Sequence, residues 1–433
     1  MHQRLVAILL FLFLAANAVS WPVLPYNAHA ADLIFLPLAL AILVLPGARV
    51  SWHWSDLAVV AYLLGALPAV VTSPDQRQSL LELSREVYLA LIYVVFAIAT
   101  DRGFARTIGD GLTLSGTWLS IAGLIFIAAQ RIGAASWPLM GEVMSLPYLG
   151  NTVRLRALTD SEAMLACVLT ASIPFAIDRW RSDRARIWSV LAAVMLIAAL
   201  FTFSHAVAGV AVAALIAAWP SLPSRTWIRK AALAVVILIV LAFNFAATVS
   251  VRSLIYANTG FADQSQYHYG VDERSAQVGS ATITYTVMSY ARLKQVAWRT
   301  FVESPLTGIG LDQFPSATRR AHNEGSLPAI YSEVDPHTTL LGRMAECGAI
   351  GGLTLVLLWI AWGRLAIDGA RGRRGVGYAA TAALAGLMVS SVNADIMNFR
   401  FVWVLAGVLR GLHDASGIVT ASGRAPEGDA GTR

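Results

Sequence analysis

Apolar runs of about 15 to 22 residues recur along the chain, separated by short polar connections, and runs of that length match the thickness of a bilayer core. They fall near 4–20, 31–48, 55–73, 86–100, 111–130, 162–177, 188–203, 206–219, 231–250, 338–365, 376–394 and 399–412. Each predicts a membrane helix. The pattern therefore predicts an all-α, polytopic membrane protein of about 12 transmembrane helices. Residues 1–250 hold helices 1–9 and an outer segment at 131–161, which contains Trp137 and Tyr148. Residues 251–337 form one large outer loop, 338–413 hold helices 10–12, and 414–433 read as a disordered tail. A structureless loop as long as 251–337 would be unusual, so it is expected to be partly helical.

Residues 188–219 form a nearly unbroken apolar run flanked at both ends by basic clusters. One helix would place those clusters on opposite sides of the membrane, so the run must fold back. Ser204-His205 is the polar break near its middle, and His205 reads either as a turn residue or as a ligand. In the large loop, 285–303 reads as an amphipathic helix. Tyr290, Leu293, Ala297 and Phe301 line its apolar stripe, with Arg292, Arg299 and Glu303 on the other face. Pro305 stops it, and Thr307-Gly-Ile-Gly310 follows as a turn.

Composition agrees. The chain has 433 residues, 57% hydrophobic and 13% charged, where a soluble domain carries about a quarter charged. Arginines flanking spans account for much of the net charge of +6, so no nucleic acid is implied. The arginine-rich connections carry Arg102, Arg106, Arg179, Arg181, Arg184, Arg186, Arg229 and Arg364, which assigns that side, and both termini, to the cytoplasm. Met1–Ser20 has features of a signal peptide, but its long apolar run favours a retained first span. Cys167 and Cys347 show neither a disulfide framework nor metal-ligand spacing.

The junction at 333–352 concentrates the candidate chemistry. Asp335 is a good helix N-cap and Pro336 suits a first helical position, which would set His337 in the first turn. The positive end of the helix dipole would then keep its imidazole neutral and able to take a proton. The bland alternative is a capping or interfacial histidine. Arg343 and Glu346, one turn apart inside a span, read first as a local ion pair and second as an anion-holding pair. Gly348, Gly351 and Gly352 read as close helix packing. The outer face also offers Arg154, Arg156, Arg292, Arg299, Arg319, Arg320 and Arg400, and such a cluster at a membrane suits a lipid-linked diphosphate. The outer acids, Asp263, Asp272 and Glu273 among them, show no tight pair, and no metal or cofactor site is expected.

In this setting the chain resembles the O-antigen ligase and polymerase superfamily of bacterial membrane proteins. Arg292-x-x-x-x-Ala-Trp298, Ser304-Pro-Leu-Thr-Gly-Ile-Gly310, Asp335-Pro-His337 and Glu346-Cys-Gly-Ala-Ile-Gly351 match its signatures in order, and Arg156 is a weaker match. Two positions depart from it: Thr338 stands where the family often has Asn, and Ser204-His205 where it often has Ser-Arg. The resemblance implies a GT-C-like fold in the bacterial inner (cytoplasmic) membrane and glycosyl transfer on the periplasmic side. It implies an undecaprenyl-diphosphate-linked glycan as donor and lipid A–core as acceptor, making the chain an O-antigen ligase of lipopolysaccharide biosynthesis. Transfer would be inverting and metal-independent. Catalytic His337 would act as the base. Arg292, Arg156 and Arg299 would bind the diphosphate, with Arg343, His205, Asp335 and Glu346 in support. A polymerase joining lipid-linked repeats is the alternative, and a lipid-linked sugar transporter is the reading from another class.

Overall fold

The computed structural model describes residues 2–20, 30–45, 52–132, 140–146, 150–222, 226–246, 249–253, 274–278, 281–287, 289–327, 331–371 and 375–422. Trp137, Tyr148, Asp263, Asp272, Glu273 and tail residues 423–433 lie outside these.

Each of the apolar runs carries helix. In the first half these are α1 (His2–Ala16), α2 (Ala30–Leu43), α3 (Trp54–Leu64), α4 (Leu67–Thr72), α5 (Gln76–Ala99), α6 (Ala105–Arg131), α7 (Glu162–Asp183), α8 (Arg186–Phe201), α9 (Val207–Ala218) and α10 (Thr226–Ala246). The second half adds α11 (Ser289–Glu303), α12 (Phe314–Asn323), α13 (Thr339–Ala370), α14 (Gly375–Ser390) and α15 (Arg400–Ser422). The stretches Trp54–Thr72, Gln76–Arg131, Glu162–Asp183 and Thr339–Ala370 are long and apolar enough to cross a membrane. Leu33, Leu36, Leu238 and Leu353 point outward and stay exposed, as apolar side chains do when the solvent is lipid. The architecture is that of a polytopic membrane protein.

The interior is built on two helices. The side chains of α7 are buried without interruption from Met164 to Asp178, against α6, α8, α9 and α14. α15 packs on α5, α13 and α14. The expected fold-back lies at 202–206, between α8 and α9.

Several expectations are corrected. The chain is mostly helical, in keeping with the all-α reading, but small β elements were not foreseen. A hairpin joins β1 (Gly141–Leu146) to β2 (Gly150–Leu155), and β3 (Val249–Ser253), β4 (Arg274–Val278) and β5 (Ala281–Val287) form a sheet of order β3-β5-β4. The amphipathic helix therefore begins at Ser289 rather than 285. The run Thr282-Ile-Thr-Tyr-Thr-Val287 is β-branched and aromatic, which fits a pleated surface better than a helix. α5 starts ten residues before the expected 86, because the Asp75 carboxylate accepts the Gln78 N–H at 3.0 Å and opens the helix there. Arg77 and Arg85 thus lie within this helix. At the other end, α15 continues to Ser422, into the expected disordered tail.

Buried charges join distant helices. Arg343 of α13 pairs with Glu86 of α5, lies 4.2 Å over the Tyr62 ring and donates to the Tyr62 carbonyl at 3.2 Å. This corrects the expected Arg343–Glu346 pair: the guanidinium turns away from its neighbour on the same helix. Arg400 makes a two-point bond to Asp32 at 2.9 and 2.6 Å, and Arg410 one to Asp56 at 3.1 and 3.1 Å. Removing one member of a buried pair strands the other charge, at a cost of about 3–5 kcal/mol. Arg343→Met is therefore expected to lower thermal stability in detergent, and adding Glu86→Gln should recover much of the loss. A double variant no more stable than the single one would refute the pairing as the cause.

Candidate active site

The segment that presents His337 is anchored by two glycine motifs that form one unit. α13 is broken at Gly348, whose φ of 63° and ψ of −162° lie outside any helix. The break frees the N–H groups of Ala349 and Ile350 and the carbonyls of Ala345 and Glu346, and such groups need partners inside a membrane protein. The Pro305–Gly310 turn supplies all four. Ala349 donates to the Pro305 carbonyl at 2.7 Å and Ile350 to that of Leu306 at 3.5 Å. Ile309 donates to the Ala345 carbonyl at 3.1 Å and Gly310 to that of Glu346 at 3.0 Å. The Glu346 carboxylate accepts the Phe314 N–H at 3.2 Å, at the start of α12. Gly348 therefore serves a helix break, not the helix packing expected of it.

His337 lies in the strap just before α13. The cap is Thr338, with no side-chain hydrogen bond, and not Asp335. His337 has φ +49°, so it is outside the helix rather than in its first turn. The reason is tertiary. Thr339 donates its N–H to the Ser391 carbonyl at 3.0 Å and its hydroxyl to that of Ala394 at 2.9 Å, and accepts the Ile396 N–H at 3.0 Å. The start of α13 is thereby fixed to the turn between α14 and α15, and the left-handed residue before it sends the imidazole sideways.

There the His337 ring meets Tyr290 of α11 at 4.7 Å between centroids, and Tyr290 meets His205 edge-on at 5.2 Å. Lys294, one turn after Tyr290, reaches in from the same face of α11. Its ammonium donates to the Asn393 Oδ1 at 2.7 Å, and the Asn393 Nδ2 donates to the Asn244 Oδ1 of α10 at 3.0 Å. The His337 pKa is pushed down to about 4, chiefly by burial and then by the positive fields of His205, Lys294 and Arg154. The expected neutral imidazole is thus present, for a reason other than the helix dipole. A neutral ring nitrogen within a positive field is equipped to take a proton beside an anionic group.

Residues 191–356, from α8 to midway along α13, match the family model described as O-antigen ligase. This part of the chain is similar to the O-antigen ligase family. No curated protein matches the chain. The matched segment contains His205, Tyr290, Lys294 and His337, whereas Arg154, Arg156, Glu86 and Asn393 come from outside the matched residues.

The structure gathers only some of the expected site residues. His205 joins His337 through Tyr290. Arg154 and Arg156, at the end of the β1–β2 hairpin, share Glu162 at 3.8 and 3.9 Å. Arg292 and Arg299 are seven apart on α11 and line a groove against α12 together with Arg320. Two residues along a helix is about 200°, so this face is turned away from that of Tyr290 and Lys294. Arg292 is buried rather than solvated and donates to the Ser326 carbonyl at 3.3 Å. Arg299 is exposed and binds Glu303 at 2.8 Å and Glu324 at 2.9 Å. Asp335 and Glu346 line an acidic cleft with Glu82, Glu86, Asp312 and Asp395, into which Arg343 also projects. Arg400, read as an outer-face arginine, is buried on Asp32.

Sequence reasoning missed Lys294, Asn393 and Asn244. The spacing of four between Tyr290 and Lys294 places both on one face of α11, which was a usable signal for the lysine. Nothing local marks the two asparagines, which lie 149 residues apart.

Proposed function

We propose that the protein is a membrane glycosyltransferase that moves a glycan from undecaprenyl diphosphate to lipid A–core on the periplasmic side of the inner membrane. The observation that carries this reading is the His337 imidazole packed on Tyr290, which in turn meets His205, with a pKa held low by burial and by the fields of His205, Lys294 and Arg154. His337 takes the proton of an acceptor hydroxyl as its oxygen attacks the anomeric carbon. The bond from that carbon to the phosphate oxygen breaks, and its electron pair leaves with undecaprenyl diphosphate. Attack opposite the leaving group inverts the anomeric centre. Diphosphate departs readily once its charge is met, so fixed cations take the place of a metal ion in this mechanism. Arg156, beside Arg154, adds to the positive wall of the site, whereas Arg292 and Arg299 lie on the other face of α11, along the groove against α12.

The test is glycan transfer by purified protein, given an undecaprenyl-diphosphate-linked repeat with and without lipid A–core, in excess EDTA. Glycan appearing on lipid A–core is the expected result. A ladder on the lipid carrier alone would make the protein a polymerase. Absence of product from authenticated substrates, with or without divalent cations, would overturn the transferase reading and favour transport of the lipid-linked sugar.

A further inference from the structure

Apart from Arg292, whose guanidinium donates to the Ser326 carbonyl, the candidate arginines are already matched by carboxylates. Arg154 and Arg156 lie on Glu162, Arg299 on Glu303 and Glu324, Arg319 on Glu333, Arg343 on Glu86 and Arg400 on Asp32. Lys294 differs. Among the described residues it has no carboxylate partner, although its side chain is half-buried. Its one hydrogen bond goes to a neutral amide oxygen. An ammonium taken partly out of water without a counter-charge is costly to hold, and proteins rarely build one without use for it.

The support beneath Lys294 is continuous. Asn393 is 5% exposed and accepts from Lys294 through its oxygen. Its amide nitrogen donates to Asn244, whose own nitrogen donates to the Val240 carbonyl at 2.8 Å. Each amide thus has one consistent orientation, and three elements, α11, α10 and the α14–α15 turn, converge on the ammonium. An ammonium has three donors, and Asn393 takes one. Burial lowers the Lys294 pKa, and an anion arriving there would offset that shift by favouring the ammonium.

Resting on the transferase reading above, we propose that Lys294 binds the diphosphate of the lipid-linked donor directly, and that Asn393 and Asn244 are positioning residues that aim it. The anion would occupy the positive field that now bears on His337. Donor binding would therefore raise the basicity of the imidazole as the reaction begins, coupling leaving-group recognition to proton removal.

Lys294→Gln tests this, because glutamine keeps a donor for Asn393 while removing the charge. Binding of inorganic pyrophosphate is measured by calorimetry alongside the donor KM and kcat of transfer. Lys294→Gln is expected to lose pyrophosphate binding and about 10²-fold in kcat/KM for the donor, with the acceptor KM unchanged. Lys294→Arg should recover part of both. Asn393→Leu should raise the donor KM more than it lowers kcat. Wild-type pyrophosphate affinity and donor KM in a folded Lys294→Gln protein would overturn the proposal. Pyrophosphate binding that depends on Lys294, in a wild-type protein that transfers no glycan, would uphold this site and reject the transferase reading.

Discussion

Replacing His337 with alanine is expected to lower glycan transfer by about 10²–10⁴-fold, the usual contribution of a positioned general base. Donor binding should survive, because the cations proposed to meet the diphosphate lie on α11 and the β1–β2 hairpin and not on the strap. The fold should survive too: the strap is anchored by Thr339 on the α14–α15 turn, not by the imidazole. The pH profile gives a second check. With its pKa at about 4, the free enzyme keeps His337 neutral far below the ordinary histidine range. The acid limb of kcat/KM should then fall nearer 4 than 6.5. Once donor is bound its negative charge stabilises the imidazolium, so the acid limb of kcat should lie at higher pH than that of kcat/KM. Stability follows the same linkage. Between about 4 and 6.5 the unfolded chain binds a proton at this residue that the native state refuses, so the contribution of His337 to stability falls as pH drops through that window and is constant above it. An alanine variant with wild-type transfer would remove His337 from the chemistry.

Gly348→Ala is expected to be the most damaging single-methyl change in α13. A Cβ at this position would lie 2.2 Å from the Leu306 carbonyl oxygen, and the backbone conformation is one that side chains other than glycine's do not adopt. The conformation alone costs about 1–3 kcal/mol. The steric overlap adds to this by parting the four hydrogen bonds between the Pro305–Gly310 turn and the broken helix. Gly308 is the matching position on the other side, with φ +70° and a Cβ site 2.2 Å from the Glu346 carbonyl oxygen. Gly363→Ala is the control in the same helix: nothing lies within 4 Å of its Cβ site, and a helical glycine-to-alanine change gains roughly 0.5–1 kcal/mol. Thermal unfolding in detergent should separate the two variants clearly. Equal stability of Gly348→Ala and Gly363→Ala would mean that the break does not depend on glycine.

Both predictions concern residues visible in the sequence whose roles were only partly legible there. His337 was marked by Asp335-Pro336, yet the cap grammar misplaced it. Those residues do favour a helix start, but the hydrogen bonds of Thr339 to the α14–α15 turn set the start three residues later than that grammar implied. Glycines 308, 310 and 348 stood out as motif residues. That two motifs close one gap was not readable, because a helix break and the turn that fills it are about 40 residues apart and neither is meaningful alone. The Arg343–Glu346 spacing satisfied a helical pairing rule, but Glu86, 257 residues away, offered a drier and better-shaped partner.

The sequence, read alone, was sufficient for the membrane class, the positions of the helices and the break within 188–219. These follow from the hydrophobic length of a bilayer and from the sidedness of arginines, and both act on local stretches of chain. It also singled out His337 as the candidate base, with arginines as its expected setting. Tertiary structure alone decided which cation stands beside that histidine. Helical phase turns Arg292 and Arg299 toward α12 and Lys294 toward His337, and two asparagines from distant segments hold the lysine there. Charge partners are chosen by proximity in the folded chain, where desolvation makes each pairing strong, and proximity of that kind leaves no periodic trace in the order of residues.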